Sequence, residues 1–267
     1  MTHAEKTASL LKQLRAATPL VQNITNFVAM DFAANALLAI GASPAMVHTK
    51  EEVADFVQIS SALTINIGTL SPLWVEGMER AITAAQHGAK PWVFDPVGVG
   101  ATPYRTAVAR QLADMKPTVL RGNASEIMTL AGVAGIASKG VDSTRGSNEA
   151  EAPAKEFAAR LGSTIVVTGP IDIVTDGQRV LRIGNGHEMM PRITALGCGL
   201  TGLIGAFLAV EKDAVIAATA ATAIFGLAGE IAAAKAEGPG SLRVHLLDAL
   251  YKLDEATVAA RVKISAA

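Results

Sequence analysis

Short apolar runs alternate with longer helical patterns along most of the chain. Several of these runs are apolar on both faces, which is typical of strands in a parallel sheet that helices cover on each side. The clearest helical pattern runs from Ser71 to His87, where Ser71 can cap the helix and Pro72 occupies its first turn. The runs that predict strands are "LVQNI", "PAMVH", "LTINIG", "PWVFDP" and "TVLRGN".

The pattern changes after Gly162, where three strand-like runs follow one another closely, with "TDGQR" as a hairpin turn. From Gly197 onward the pattern is mostly helical. We therefore predict an α/β fold with a mostly parallel central sheet, helices on both faces, an antiparallel addition at one edge and a helical C-terminal third. No repeat and no Pro/Gly/Ser-rich linker divides the chain, so we expect a single domain over residues 1–267.

Composition narrows the classes of function. Half of the 267 residues are hydrophobic and 18% are charged, so the chain can bury a large core. The 23 basic residues are balanced by 24 acidic ones, which excludes the basic surface of a nucleic-acid-binding protein. The lone cysteine, Cys198, forbids an intrachain disulfide and fits a reducing, cytoplasmic compartment.

Two apolar runs, Ala195–Val210 and Ala214–Gly229, are candidates for membrane spans. Each is shorter than the roughly 20 residues that a span requires, and charged residues interrupt the sequence after both. The charged N-terminus also lacks the apolar segment of a signal peptide. We interpret both runs as buried helices and expect no membrane association.

In parallel sheets, ligands bind beyond the carboxyl ends of the strands. "FDPVGVGAT" ends a predicted strand with Asp95 and continues through glycines, as in many Mg²⁺-phosphate sites, because a carboxylate is a hard oxygen ligand. An Asx-type turn is the structural alternative. The five histidines are scattered without metal-ligand spacing, so a zinc site is not expected.

Two further strand ends carry polar residues. Asn123 and Glu126 have the spacing of a capping box, which explains both without a ligand. The capping box does not explain Arg121. The planar guanidinium of this residue is suited to binding phosphate. Thr168, followed by Gly169, lets a hydroxyl and the backbone approach a phosphate, although a simple turn fits equally well.

Cys198 lies in "RITALGCGLTGLIGAF", where Gly197 and Gly199 flank it at the start of a predicted helix. The free amides and the dipole of a helix N-terminus bind anions. The same dipole predicts a thiol pKa below about 8.5, which makes Cys198 a candidate general base. Tight packing around a buried cysteine is the alternative.

The N-terminal third supplies candidates for an apolar ligand. Asn26 lies in a polar loop at the start of a predicted helix, Phe27–Leu38. Met46 closes the next predicted strand, and its adaptable side chain can line a pocket for an aromatic ring. An ordinary core methionine is the alternative interpretation.

Taken in order, several motifs resemble the hydroxyethylthiazole kinase family of the ribokinase-like superfamily, from about residue 10 to residue 255. The resemblance implies a three-layer ribokinase-like fold and transfer of phosphate from ATP, with Mg²⁺, to the hydroxyl of 4-methyl-5-(2-hydroxyethyl)thiazole in thiamine biosynthesis or salvage. It also implies a homotrimer with active sites between subunits. The motifs are "VQNITNFVAMDFAAN", "GASPAM", "INIGTL", "FDPVGVGAT", "RGNASEI", "VVTGPIDIVTDG", "LGCGLTG" and "GPGSLRVHLLDAL".

The resemblance also implies roles for individual residues. Cys198 falls where most ribokinase-like kinases carry a catalytic aspartate, and the amides of Gly197, Cys198 and Gly199 would form an anion hole. The remaining roles are thiazole contacts for Met46 and Ala195, the pocket loop for Asn26, ATP contacts for Arg121 and Thr168, and the organisation of Mg²⁺ for Asp95 and Glu126.

The chain departs from the family pattern at one place: it reads "ALGC" at residues 195–198, where the family usually reads Gly-Thr-Gly-Cys. Ala195 adds a methyl group near the substrate, and Leu196 replaces a short hydroxyl residue. The alternatives are therefore a kinase for a pyrimidine or pyridine alcohol, or an ATP- or ADP-dependent dehydratase of the same superfamily. Acyl transfer through Cys198 would need a histidine partner that no neighbouring strand end supplies.

Overall fold

The computed structural model of the protein describes residues 1–134 and 147–266. Nine strands in these residues form one sheet. They are β1 (Leu20–Ile24), β2 (Ser43–Ala45), β3 (Ala62–Asn66), β4 (Trp92–Asp95), β5 (Val119–Asn123), β6 (Thr164–Thr168), β7 (Asp172–Thr175), β8 (Val180–Ile183) and β9 (Ile264–Ala266).

The order of strands across the sheet is β2-β1-β3-β4-β5-β6-β7-β8-β9. The pairs from β2 to β6 are parallel, and the pairs from β6 to β9 are antiparallel. This arrangement confirms the predicted parallel sheet with an antiparallel addition at one edge. The short edge strand β9 was not predicted, because three partly exposed residues carry no apolar pattern.

Helices cover both faces of the sheet. They are α1 (His3–Ala17), α2 (Met30–Ile40), α3 (Val53–Ile59), α4 (Pro72–His87), α5 (Pro103–Asp114), α6 (Ala124–Ala131), α7 (Ser147–Leu161), α8 (Leu196–Leu208), α9 (Ala214–Ala233), α10 (Pro239–Lys252) and α11 (Glu255–Arg261).

Hydrophobic cores lie on the two sides of the sheet. One contains residues of α1, α2, α8, α9 and α10, and the other contains residues of α3 to α7. Consecutive strand residues divide between them: Val93 and Val119 enter the first core, whereas Phe94 and Leu120 enter the second. Because side chains alternate across a strand, apolar runs on both faces are required here.

The helix Ala214–Ala233 is long and apolar enough to cross a membrane, but 78% of its most apolar window is buried inside the protein. It packs against α8 and α10. Its many alanines allow that close approach, so the structure supports the interpretation of this run as a core helix.

The boundaries of two elements differ from the prediction. The helix expected over Phe27–Leu38 begins at Met30 and ends at Ile40. Residues 27–29 instead form a turn, in which the Ala29 amide donates to the backbone carbonyl and the side-chain oxygen of Asn26. The strand expected over 44–48 ends at Ala45, so Met46 lies just beyond it.

Candidate active site

The carboxyl ends of four neighbouring parallel strands bring polar side chains together beside the start of α8. The pairing of β3 with β4 sets Asn66 opposite Asp95, and the pairing of β5 with β6 sets Asn123 opposite Thr168. Arg121 lies two residues before the end of β5. The sheet therefore gathers at one edge residues that are up to about 100 positions apart in sequence.

Asp95 is fully buried and accepts three hydrogen bonds on one carboxylate oxygen. Its Oδ2 is 2.9 Å from both Asn66 Nδ2 and Thr201 Oγ1, and 3.4 Å from Arg121 Nη1. Its other oxygen, Oδ1, has no hydrogen-bond partner among the described residues. Burial raises the pKa of the Asp95 carboxyl, and the positive charge of Arg121 opposes that rise.

Arg121 joins β5, β6 and α8. Its Nη2 donates to Thr168 Oγ1 at 2.9 Å, and its Nη1 contacts Asp95. A Cβ atom on Gly197 would lie 2.5 Å from Nη1, so only glycine lets the guanidinium lie against the first turn of α8. The cation thus lies beside a helix N-terminus and a strand end, an arrangement that suits the binding of an anion.

Glu126 is held almost entirely by backbone amides. Its two carboxylate oxygens accept from Gly98 N and Asn123 N, each at 2.8 Å, while Asn123 Oδ1 accepts from Glu126 N at 3.0 Å. This confirms the predicted capping box and adds a bond to the glycine loop after β4. Burial, with a contribution from Asp95, raises the pKa of Glu126 to about 7.

Asp95 and Glu126 provide a limited set of metal ligands. Among the described residues, no group of three or more His, Cys, Asp or Glu side chains could hold a metal ion. The unpartnered, buried Oδ1 of Asp95 is nevertheless an acceptor that a cation or its water would satisfy. Mg²⁺ usually binds through one or two carboxylates, several waters and substrate phosphates, so this donor set fits a Mg²⁺ that arrives with phosphate.

Cys198 lies in the first turn of α8 and is mostly buried. Its Sγ is 3.2 Å from Asn66 Nδ2 and 3.4 Å from Asn26 Nδ2. The prediction that the helix dipole lowers the pKa of this thiol is wrong: burial, reinforced by the Asp95 carboxylate, raises it to about 11. The loss of water around the sulfur outweighs the positive charge of Arg121 and both amide donors.

Asn66 and Thr201 are parts of this network that the sequence reasoning missed. Asn66 uses all of its hydrogen-bonding capacity, since its Oδ1 also accepts from Asn26 Nδ2 at 2.8 Å and Gly68 N at 2.9 Å. Two signals could have revealed them. Asn66 is a polar residue near the end of the predicted strand "LTINIG", and Thr201 lies three residues after Cys198, on the same helix face.

Gly199 does not contribute to an anion hole as expected. Its amide already donates to the Ala195 carbonyl at 2.9 Å, and a Cβ atom here would lie 2.6 Å from the Phe32 ring. Close packing of α8 against α2 explains this glycine. The first amides of a helix have no partners within it, so Gly197 and Cys198 remain as the donors for an anion.

Asp172, which interacts electrostatically with Arg121, is a third residue that the sequence reasoning missed. It begins β7, is buried, and accepts the Gly169 amide on Oδ1 at 2.9 Å. The Gly169 amide, which we expected to approach a phosphate, is therefore already bonded. Burial raises the pKa of Asp172 to about 7.

The residues expected to contact an apolar substrate follow β1, follow β2 and precede α8. Asn26 is buried and bonded to Asn66 and Cys198, as described above. Ala195 immediately precedes α8 with a φ of 65°, a left-handed conformation that alanine adopts at a steric cost. Met46 is half-buried just after β2, at the same edge of the sheet.

Comparison with known proteins gives matches over nearly the whole chain. The model of the hydroxyethylthiazole kinase family matches residues 11–256. A hydroxyethylthiazole kinase of Cereibacter sphaeroides is 54% identical over 257 residues, which cover 96% of this chain and 97% of that protein.

Solved structures agree with these matches. The hydroxyethylthiazole kinase of Pyrococcus horikoshii is 41% identical, with a TM-score of 0.91 and 98% of each chain covered. A ribokinase-like superfamily protein of Enterococcus faecalis is 15% identical, with a TM-score of 0.65 over 93% of this chain and 95% of that one. The second likeness shows the shared ribokinase-like fold alone.

Proposed function

The chain belongs to the hydroxyethylthiazole kinase family, and we infer that it transfers a phosphoryl group from ATP to the hydroxyl of a thiazole alcohol. The acceptor that the family name identifies is 4-methyl-5-(2-hydroxyethyl)thiazole, and the product is its phosphate, an intermediate for thiamine. The observation that carries this function is the juxtaposition of Arg121, Asp95 and Cys198 at the start of α8. A cation, a carboxylate and a proton acceptor around free helix amides are what phosphoryl transfer needs.

We propose that Arg121 and Thr168 bind the phosphates of ATP. Their side chains already form a hydrogen bond with each other, so they present one cation and one hydroxyl from adjacent strands. The amides of Gly197 and Cys198 would stabilise charge on the transferring group, because they are fixed before the reaction and need no reorganisation.

Asp95 and Glu126 would hold Mg²⁺, in part through water. When bound, Mg²⁺ neutralises charge on the ATP phosphates. Glu126 has both oxygens engaged by backbone amides, so its role is to fix the glycine loop and to orient water. The direct ligand in this proposal is the free Oδ1 of Asp95.

Cys198 would accept the proton of the substrate hydroxyl. With a pKa of about 11, the thiol is protonated in most molecules of the free protein at neutral pH, so it must first lose its own proton to solvent before the thiolate can accept the proton of the substrate hydroxyl late in the transfer. Phosphoryl transfer proceeds through a loose transition state that demands little base assistance early. The amides of Asn26 and Asn66 would stabilise the thiolate as it forms.

We propose that a second copy of the chain completes the alcohol side of the site, in a homotrimer. Large apolar side chains are exposed there: Phe27 by 68%, Val28 by 60% and Leu73 by 67%. Phe27 also packs on Trp74, with ring centroids 4.9 Å apart. Exposed apolar side chains next to a polar site are typical of an interface.

The protein would act in the cytoplasm as a single domain spanning residues 1–267. A sheet whose strands extend from Leu20 to Ala266 supports the single domain. The free thiol of Cys198 and the use of ATP fit a reducing compartment.

A coupled ADP-release assay with thiazole, pyrimidine and pyridine alcohols tests the function. We expect the hydroxyethylthiazole to give the highest kcat/KM, with one phosphorylated alcohol per ADP. Turnover of another alcohol without turnover of the thiazole would overturn the substrate. ADP release without a phosphorylated product would instead indicate the dehydratase alternative.

A further inference from the structure

Arg105, in the first turn of α5, connects two loops that lead away from the active site. Its Nη1 donates to the carbonyls of Ile67 and Val97, the latter at 2.8 Å, and its Nη2 donates to the Gly68 carbonyl at 3.0 Å. The guanidinium therefore engages three backbone acceptors on two separate segments. Its planar fork suits this task, because the donors point in fixed and different directions.

The two loops carry groups of the active site. Ile67 and Gly68 follow Asn66, which donates to Cys198 and Asp95. Val97 precedes Gly98, whose amide binds the Glu126 carboxylate. Each carbonyl that Arg105 binds therefore lies within two residues of Asn66 or Gly98.

Pairing between the strands does not fix these loops by itself. The ladder between β3 and β4 ends where Ile67 N donates to the Asp95 carbonyl at 3.3 Å. Beyond that bond the chain turns away on both sides, and Arg105 bridges the gap. The Gly68 segment is then held from both sides, because its carbonyl accepts from Arg105 and its amide donates to Asn66.

The position of Arg105 in its own helix is unfavourable for a cation. Thr102 caps α5 and accepts from the Arg105 amide at 3.2 Å, which places the side chain in the first helical turn. Positive charge there opposes the helix dipole. Burial also lowers the pKa of the Arg105 guanidinium, while the Glu126 carboxylate raises it. Local helix propensity therefore gives no reason for an arginine here, whereas the carbonyl contacts do.

We propose that Arg105 is a positioning residue for phosphoryl transfer, which sets the separation of the two loops and so holds Asn66 against Cys198 and Gly98 against Glu126. Arg105 touches neither substrate nor the reacting atoms in this proposal, which rests on the proposed function. A displacement of about 1 Å in such groups can lower a rate by roughly 10²-fold.

The test compares Arg105→Met and Arg105→Lys with Arg110→Met, a control on the exposed side of the same helix. For Arg105→Met we expect kcat to fall by roughly 10- to 100-fold and the Mg²⁺ concentration for half-maximal rate to rise several-fold. The KM for the alcohol should change by less than about twofold. Arg105→Lys keeps the charge but cannot span both loops, so its effects should be smaller and in the same direction.

A second readout needs no substrate. Cys198 is the only cysteine, so iodoacetamide labelling reports on its environment alone. Loss of Arg105 should let the Asn66 segment move and admit water to the buried sulfur, and because burial is the largest cause of the raised Cys198 pKa, labelling should become several-fold faster than in the wild type and in Arg110→Met. This readout distinguishes the positioning role of Arg105 from the proposed function. If the wild-type protein does not phosphorylate the thiazole alcohol, the proposed function fails, but the labelling rates of the variants can still be compared.

Two results would overturn the proposal. One is a folded Arg105→Met protein with wild-type kcat, Mg²⁺ dependence and labelling rate. The other, if Arg105→Met does not fold, is an Arg105→Lys protein with all three properties unchanged, which would assign Arg105 to stability alone.

Discussion

The two sides of the active site place charged and apolar groups in opposite ways. On the side proposed to bind phosphate, Asp95, Arg121 and Glu126 are withdrawn from water and bonded to one another or to backbone amides. On the alcohol side, Phe27 and Leu73 are exposed. Charges are inside and large apolar side chains are outside, the reverse of the usual distribution in a soluble protein.

This difference between buried charges and exposed apolar side chains indicates which part of the proposed site a single chain can form by itself. A buried charge costs several kcal/mol unless it is paired, so the phosphate side must be assembled within the fold itself. Exposed apolar surface is tolerated and gains roughly 25 cal/mol per Å² when it is covered. The side proposed to bind the alcohol can therefore stay exposed until the substrate and, in the proposed homotrimer, a second copy of the chain cover it.

The largest effect should come from Asp95→Asn on the phosphate side. The neutral amide has nearly the same shape but binds Mg²⁺ poorly, so kcat should fall by roughly 10³-fold. The measurement is kcat across a Mg²⁺ titration, with thermal unfolding to check the fold. Asp114→Asn, at the exposed end of α5, is the control. An unchanged Mg²⁺ titration would reduce Asp95 to a turn-forming residue.

Cys198→Ala tests the boundary between the two sides. Because the base acts late, kcat should fall by roughly 10²-fold, at the lower end of the usual range for general-base catalysis. The thiol pKa of about 11 predicts that wild-type kcat rises with pH through the neutral range, and the alanine variant should lose this rise. A folded variant with the wild-type kcat and pH profile would make Cys198 a packing residue.

Iodoacetamide labelling of the free protein measures the same pKa directly. The rate should increase with pH up to the pKa of the thiol, about 11. A plateau near neutral pH would restore the expectation that the helix dipole governs this cysteine.

Phe27→Glu places a charge in the exposed apolar surface of the proposed alcohol side and leaves the residues of the proposed phosphate side unchanged. A charge in the exposed apolar cluster should weaken association between copies, and specific activity should fall roughly tenfold and depend on protein concentration. Sedimentation velocity measures the oligomeric state of the variant. Ile59→Glu, an exposed apolar position on α3, is the matched control. A trimer of unchanged stability would place the interface elsewhere.

Asp172→Asn tests the cost of burying acids beside the phosphate side. The Asp172 pKa rises from 3.8 to about 7 on folding, so the folded protein binds this proton more tightly than the unfolded chain. The resulting stability is complete below about pH 4 and is lost as pH rises through 7, with an upper limit of about 4 kcal/mol. The free energy of unfolding of the wild type should fall more steeply between about pH 4 and pH 7 than that of the variant, and equal slopes would contradict this.

The smallest effect is expected from Ala195→Gly, which relieves the left-handed φ of 65°. The steric gain of about 1 kcal/mol is partly offset by the greater freedom of glycine in the unfolded chain. The melting temperature should rise slightly, and the KM for the alcohol should change by less than about threefold. A larger change in KM would show that the alanine methyl contacts the substrate.

Local pattern was enough to predict much of the molecule. The apolar runs predicted the parallel sheet, and the spacing of Asn123 and Glu126 predicted their capping box. Ser71 was predicted to cap α4, and its hydroxyl does accept the Trp74 amide at 3.3 Å. These features depend on residues close in sequence, so hydrophobic periodicity and backbone geometry determine them.

Tertiary structure alone decided the chemistry of the site. The Cys198 pKa depends on burial and on Asp95, which is 103 positions away in the sequence, so a local helix argument gave the wrong sign. The Gly199 amide is used within its own helix only because α8 begins at Leu196. Asn66 and Arg105 gain their importance from loops that the sheet brings together. Electrostatic environment and hydrogen-bond satisfaction sum over all neighbours in space, and a sequence pattern records only the neighbours along the chain.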